Sequence, residues 1–450
     1  MKNGIDLTVI GGGLAGSEAA LQAAKYGLKV QLVEMRPVVT TGVHLTSHFS
    51  ELVCSNSFGS YLTDRAPGVL KTELRQLGSI LLECAERTAL PAGRALAVDR
   101  NLYSQLVTEL ISSNPRINVI REEARSIPDG PTIIATGPLT SPDFSEVLIK
   151  LTGEDSLHFY DAIAPIVNFD SIDFNVAFKA SRYQDTDSTS GDYVNLPFSE
   201  TEYYQFVELL TSANRISLKS FEQDIEKGVQ AGAREFFEGC LPIEVLAKRG
   251  RDSLAFGPMR PVGLIDPHTN KRPFAVLQLR QDNLIGNLYN MVGFQTNLTF
   301  EEQKRVFRKI PGLAHVEFER FGQMHRNTYI SSPKLLSPTL QFLKRPNIFF
   351  AGQITGVEGY AGNIATGLLA GWNSARLINN LPPLALPETT ILGALCCYIT
   401  QADLSDFQPM KANFGILPPL MLDQKIGKRD RAKKYSDRSY LDLELFLKTI

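Results

Sequence analysis

The apolar positions of this chain gather into short runs that end on glycine. Residues 5–10 (IDLTVI) form a strand-length run closed by Gly11, and helical spacing of small and apolar residues follows over 15–26. Residues 29–34 (KVQLVE) read as the next strand, so the chain opens with a β-α-β pattern. Two later runs have the same form, 131–137 (PTIIATG) and 347–352 (NIFFAG). The second leads into a helical pattern over about 364–379, stopped by Leu381-Pro382-Pro383. Strand-to-glycine junctions at both ends of the chain predict an α/β fold with one Rossmann-like nucleotide-binding domain, discontinuous over 1–165 and 331–450. The middle differs in texture. It alternates over 168–177 and carries a polar stretch at 185–192, which predicts an inserted α+β domain over 166–330.

Composition narrows the class of protein without naming it. A chain of 450 residues with 43% hydrophobic and 21% charged residues has ample material for a core in each domain. The formal net charge of −2 excludes a uniformly basic surface, so any contact with nucleic acid must come from a local patch. The most basic stretch is 423–440, with Lys425, Lys428, Arg429, Arg431, Lys433, Lys434 and Arg438. Five cysteines occur without a C-x-x-C pair, the pattern of reduced thiols rather than a disulfide framework or a metal site. With neither a signal-peptide pattern nor a bilayer-length apolar run, a soluble, cytoplasmic protein is expected.

The first glycine turn carries the clearest chemistry. Gly11, Gly13 and Gly16 make G-x-G-x-x-G within Gly11-Gly12-Gly13-Leu14-Ala15-Gly16, directly between a strand and a helix. The first glycine permits the tight turn, the second lets backbone approach a pyrophosphate, and the third allows close packing of helix on sheet. Glu34 ends the second strand, where it can accept hydrogen bonds from ribose hydroxyls. The junctions at Gly137 and at Gly352-Gln353 favour FAD over NAD(P), because two-part FAD domains bring a late strand to the ribityl chain. Gln353 stands where such domains carry an acid. A second G-x-G-x-x-G after a strand is missing, so a nicotinamide reductant is expected to bind only transiently.

Two thiols stand apart from the others. Cys84, Cys396 and Cys397 lie in apolar context and read as small buried hydrophobes. Cys54 lies among small polar residues in ELVCSNS, on a loop expected near the cofactor. Cys240 follows a glycine, and Lys248, Arg249 and Arg251 come within reach if the following segment folds as a short helix. Nearby cations raise the thiolate fraction of a thiol. A flavin with a nucleophilic thiol suits either thiol–disulfide exchange, which wants a close cysteine pair, or addition to an electrophilic ring.

Nearly the whole chain resembles the folate- and FAD-dependent tRNA (uracil-5-)-methyltransferases. The resemblance rests on VIGGGLAGSEAA, EMRP, ELVCSNS, ALAVDR, IIATGPLTSP, FYDAIAPIV, FFEGCLPIE, FGPMRPVGL, YNMVGFQTNLT, EEQKRVFRKIPGL, FFAGQITGVEGY and FQPMKANFGILPPL. One departure is Gly362-Asn363, where many members carry Glu-Ser. The resemblance implies methylation at C5 of the T-loop uridine (position 54 of tRNA). The carbon would come from 5,10-methylenetetrahydrofolate and the reducing equivalents from FADH2 regenerated by NAD(P)H. It places Cys54 and Cys240 on the family's two functional cysteines, with Cys240 taken as the nucleophile that adds to C6 and Cys54 as the group that assists proton removal or guards the methylene-carrying intermediate. Lys248, Arg249, Arg251 and the 425–434 cluster are the expected phosphate partners, and the target base must be extruded from its loop. Three rival readings remain. One is the same chemistry on ribosomal RNA. The second is modification of the wobble uridine by a related flavoprotein, whose longer C-terminal helical region is not expected here. The third is an RNA-binding flavoprotein without catalysis.

Overall fold

The computed structural model describes residues 4–154, 157–182, 191–216, 241–405, 407–421, 424 and 426–450, without the side chains of 157–160, 325 and 326. Cys240, Lys425 and most of the polar stretch 185–192 therefore lie outside the described residues.

Strands Leu7–Ile10 and Val30–Glu34 flank helix Leu14–Lys25 and pair in parallel. They sit inside a six-stranded sheet that also takes in Ile117–Arg121, Thr132–Ile134, Arg345–Phe350 and the short edge strand Gln341–Phe342. All its pairings are parallel except the last. Leu7–Ile10 is buried along its full length, as a parallel strand covered on both faces must be. The late strand Arg345–Phe350 pairs with Thr132–Ile134, so distant parts of the chain finish one sheet.

Helix Tyr360–Ile378 follows that late strand and packs on Leu14–Lys25 at backbone contact. A Cβ at Gly367 would lie 2.2 Å from the Ala15 carbonyl oxygen, so only glycine allows this approach. The apolar spacing predicts this helix from residue 364, but it begins one turn earlier. Its first turn (Tyr360, Ala361, Gly362, Asn363) is held by Gly359 at φ 87° and by packing, not by an apolar stripe. The alternation over 168–177 is also not a strand throughout. Pairing stops at Asn168, and a 3-10 turn, Phe169–Ser171, turns the chain away.

A second six-stranded sheet is antiparallel, in the order Phe178–Ala180, Tyr193–Phe198, Ala275–Gln281, Leu288–Met291, Ile166–Asn168 and Phe318–Arg320. Helices Glu200–Ser212, Ile243–Lys248 and Phe300–Phe307 pack with it around a core of its own, centred on Phe206, Phe294 and Phe307. Between the sheets, Leu157–Ala162 and Met324–Tyr329 cross side by side as an antiparallel pair.

Buried carboxylates add to the hydroxyl N-caps Ser79 and Thr390 at two helix starts. Glu18 accepts from the N–H groups of Ile80 and Leu81. Glu73 accepts from Ile391 and Leu392 at 2.7 and 3.0 Å and from the Ser439 hydroxyl, tying three helices at one point. Burial lifts the Glu73 carboxyl to about 7, against these three donors. Glu73→Ala orphans two buried N–H groups at about 1–3 kcal/mol each. The expected result is a thermal unfolding midpoint lower by about 5 °C or more, read by calorimetry.

Candidate active site

The predicted nucleotide residues converge at the carboxyl edge of the parallel sheet. Gly11 has φ 102°, and a Cβ on it would lie 2.4 Å from the Ala135 carbonyl oxygen. A Cβ at Gly16 would fall 1.8 Å from the Gly11 carbonyl oxygen, while Gly13 opens onto free space. The turn is thus closed on the sheet side and open where a pyrophosphate would approach, with Leu14 and Ala15 starting the helix behind it. Gly137 (φ 69°) and Gly352 (φ 82°) end the neighbouring strands, and the Gly352 N–H donates to the Thr366 hydroxyl. Beside the turn a narrow cleft of about 40 Å³ is lined by Gly11, Glu34, Met35, Ala124, Thr136 and Phe144 among others.

Glu34 is buried in a short network. Its carboxylate accepts from the Gly12 N–H at 2.8 Å and from the Arg36 N–H and Nε at 3.0 and 2.8 Å. Burial alone would raise this carboxyl, but Arg36 and the two N–H groups outweigh it and hold it below its ordinary value. Arg36 also reaches Glu51 at 3.3 Å, and Glu51 accepts from the N–H groups of Leu45 and Thr46. The network clips the loop before Cys54 onto the glycine turn, and the Ser50 N–H to Gly12 carbonyl bond does the same.

Cys54 lies on this loop, partly exposed. The Tyr360 hydroxyl accepts from the N–H groups of Cys54 and Ser55 at 3.1 Å and donates to the Ser55 carbonyl at 2.9 Å. Burial, then the neighbouring Cys54, push the phenol well above its ordinary range, so it stays a neutral donor. Arg100, Arg280 and Arg320 all interact electrostatically with Cys54. Burial works against the charge on Arg100, and Asp282 at 2.7 Å restores it. Arg280 is 7% exposed and donates through Nε to Asn56 at 2.9 Å.

A carboxyl pair lies on the other side of Tyr360. Glu358 is buried, accepts from Gln353 Nε2 at 2.7 Å, and is pushed up to about 8 by burial first and by Asp161 next. It therefore carries a proton at neutral pH. The unfolded chain loses that proton near 4.5, whereas the folded chain keeps it to about 8, so this group makes stability fall as pH rises through that window. Glu358→Gln is expected to flatten the fall, so its unfolding midpoint should drop less than the wild type's between pH 5 and about 8.5. Asn363, the departure from the resembled pattern, is 8% exposed and its Oδ1 has no partner, close to Gly352.

The predicted basic residues fall elsewhere. Lys248, Arg249 and Arg251 are exposed at and just beyond the end of helix Ile243–Lys248, and Arg251 lies over the Tyr204 ring at 3.7 Å. Sequence reasoning did not single out Arg100, Arg280, Arg320, Tyr360 or Glu358 as site residues. A signal was present for Arg280, an arginine inside the otherwise apolar run AVLQLRQ. Among the described residues there is no cluster of metal-ligating side chains, and no helix is long and apolar enough to cross a membrane.

Comparison with known proteins gives a consistent result. A family model described as "Glucose inhibited division protein A" matches residues 6–382. Among solved structures, the form I crystal of Aquifex aeolicus GidA superposes with a TM-score of 0.69, covering 98% of this chain and 76% of that one. At 17% identity that likeness speaks for the fold alone. The methylenetetrahydrofolate–tRNA-(uracil-5-)-methyltransferase TrmFO of Heliobacterium modesticaldum is 53% identical over 98% of both chains. The enzyme of that name from Natranaerobius thermophilus is 51% identical over 98% of this chain and 99% of its own. With the glycine turn, the clipped Cys54 loop and this identity over nearly full length, the chain belongs to the methylenetetrahydrofolate–tRNA-(uracil-5-)-methyltransferase family.

Proposed function

We propose that this protein methylates C5 of a tRNA uridine, position 54 of the T-loop, with 5,10-methylenetetrahydrofolate as carbon donor, FAD as redox cofactor and NAD(P)H as reductant. The observation that carries the reading is Cys54, its backbone held by Tyr360, on a loop clipped to a dinucleotide-type glycine turn.

The residues present suit FAD. Gly11, Gly12 and Gly13 leave backbone open to a pyrophosphate, and Leu14, Ala15 and Gly16 put a helix start behind it. Glu34 Oε2, with one hydrogen bond, retains capacity for a ribose hydroxyl. Gly137, Gly352, Gln353 and the unpartnered Asn363 Oδ1 would border the ribityl chain and the ring. Bound and reduced, FAD supplies the hydride that turns the transferred methylene into a methyl group.

The protein's own groups do the remaining work. In this reading the Cys240 thiolate adds to C6 of the uracil, which leaves electron density at C5 and O4 and makes C5 a nucleophile toward the folate carbon. Arg100, Arg280 and Arg320 supply a positive field for charge that develops on the pyrimidine oxygen. Cys54 takes the C5 proton as tetrahydrofolate leaves from the transferred carbon, which leaves an exocyclic methylene on C5, and Tyr360 fixes the position of the Cys54 loop. Once the methyl group is formed, Cys240 leaves C6 and the ring recovers its double bond. Lys248, Arg249 and Arg251 contact RNA phosphates.

Incubating purified protein with unmodified tRNA transcript, methylenetetrahydrofolate and NAD(P)H, then mapping nucleosides, tests the reading. Ribothymidine at position 54 is expected. Product at the wobble uridine, nowhere, or only in a parallel incubation with ribosomal RNA transcript would reject it.

A further inference from the structure

We infer that the groove between the start of the C-terminal helix and the turn at residues 62–67 seats the phosphate backbone of the RNA outside the reacting loop. This rests on the proposed RNA-methylating function and adds the surface on which the RNA body lies.

The groove is open and holds about 1130 Å³. Arg65, Arg94, Lys428, Arg429, Arg431 and Lys433 line it, all exposed, against the acids Asp64, Asp430 and Asp437. In a chain with a net charge of −2 this concentration of cations is local rather than a reflection of overall charge. Its wall also carries an aromatic stack, Phe414 on Tyr435 with centroids 5.6 Å apart, and Arg438 covers Tyr435.

The groove is preformed. Ala432, Ser436 and Ser439 are buried on the inner face of helix Lys428–Leu447, Ser436 donates to the Thr63 carbonyl, and Ser439 to Glu73. The cations therefore stand on a fixed surface. Their placement does not serve the helix itself. The first turn carries Lys428, Arg429 and Arg431 against one acid, Asp430, and the last turn carries no base before the C-cap Lys448, so the net charge at the helix start opposes the dipole by about 0.3–1 kcal/mol per charge. Charge held against local stability, beside flat rings, fits a polyanion with stacking bases.

The groove's lining is joined through the backbone to the elements of the reacting centre. Its floor residues Ala412, Asn413 and Phe414 continue from strand Met410–Lys411, which pairs with Val357–Glu358, two residues before Tyr360. An RNA whose loop reaches Cys54 would seat its body in this groove.

The test uses the full chain with Arg429→Glu, Arg431→Glu and Lys433→Glu combined, and a matching set with glutamine. Affinity for a tRNA transcript is measured by fluorescence anisotropy across a salt series, with the thermal midpoint as folding control. The glutamate set is expected to bind at least about 10-fold more weakly at low salt, with a plot of log affinity against log salt shallower by about 2, and the glutamine set to fall between. Wild-type affinity and slope in both sets would overturn the inference. So would competition for the groove by an acidic polypeptide while RNA binding ignores the substitutions. If wild-type protein neither binds nor methylates tRNA, the proposed function fails; if it does both and the variants bind equally well, only the groove assignment fails.

Discussion

Cys240→Ala is expected to abolish covalent capture of a tRNA carrying 5-fluorouridine, while Cys54→Ala still captures it but turns over natural tRNA about 10²–10⁴-fold more slowly. The two outcomes separate because the thiols have different duties in the proposed reaction. Fluorine at C5 blocks the late proton loss, so a chain with its C6 nucleophile stays attached to the base. The other cysteine matters only when a proton must leave. Its surroundings suit that task, since the Tyr360 hydroxyl fixes its backbone on a partly exposed loop. The adduct is read as a slow-moving band in a denaturing gel and by mass. Capture by Cys240→Ala but not by Cys54→Ala would exchange the two roles.

Gly16→Val is expected to leave the purified protein without its yellow chromophore. Even the first carbon of a side chain would fall 1.8 Å from the Gly11 carbonyl oxygen, so the helix must move off the turn or the turn must open. Either movement withdraws the backbone N–H groups and the helix start from the pyrophosphate. Absorbance near the flavin bands, scaled to protein, checks this, and the expected occupancy is below about a tenth of wild type, a loss of more than 1.4 kcal/mol in binding. Full colour in a folded Gly16→Val protein would mean that the dinucleotide lies elsewhere.

How far the sequence revealed this depends on the range of each interaction. The parallel sheet announced itself locally, because buried strands such as Leu7–Ile10 and Thr132–Ile134 are short apolar runs that stop at glycines with positive φ. That two such strands far apart in the chain belong to one nucleotide-binding domain followed from their shared form, but that Arg345–Phe350 pairs directly with Thr132–Ile134 did not. The surroundings of Cys54 were not legible in the same way. Arg280 meets Asn56 across 224 positions, and Arg100 meets Asp282 across 182. No local period encodes such contacts, and ALAVDR and LQLRQD look in isolation like strand ends. The first turn of helix Tyr360–Ile378 escaped for another reason: Ala361, Gly362 and Asn363 make no apolar stripe, yet all three are buried.

The paired crossing of Leu157–Ala162 with Met324–Tyr329 has a consequence for how this architecture can vary. The chain departs from the nucleotide fold and returns to it one strand spacing away, with Ala162 opposite Met324. For the outer fold, everything between those residues behaves as a loop whose ends are already joined. Loop-closure entropy grows only with the logarithm of length, and a folded segment fixes its own ends. The middle of the molecule can therefore gain or lose whole elements, and acquire new substrates with them, while the parallel sheet keeps its register.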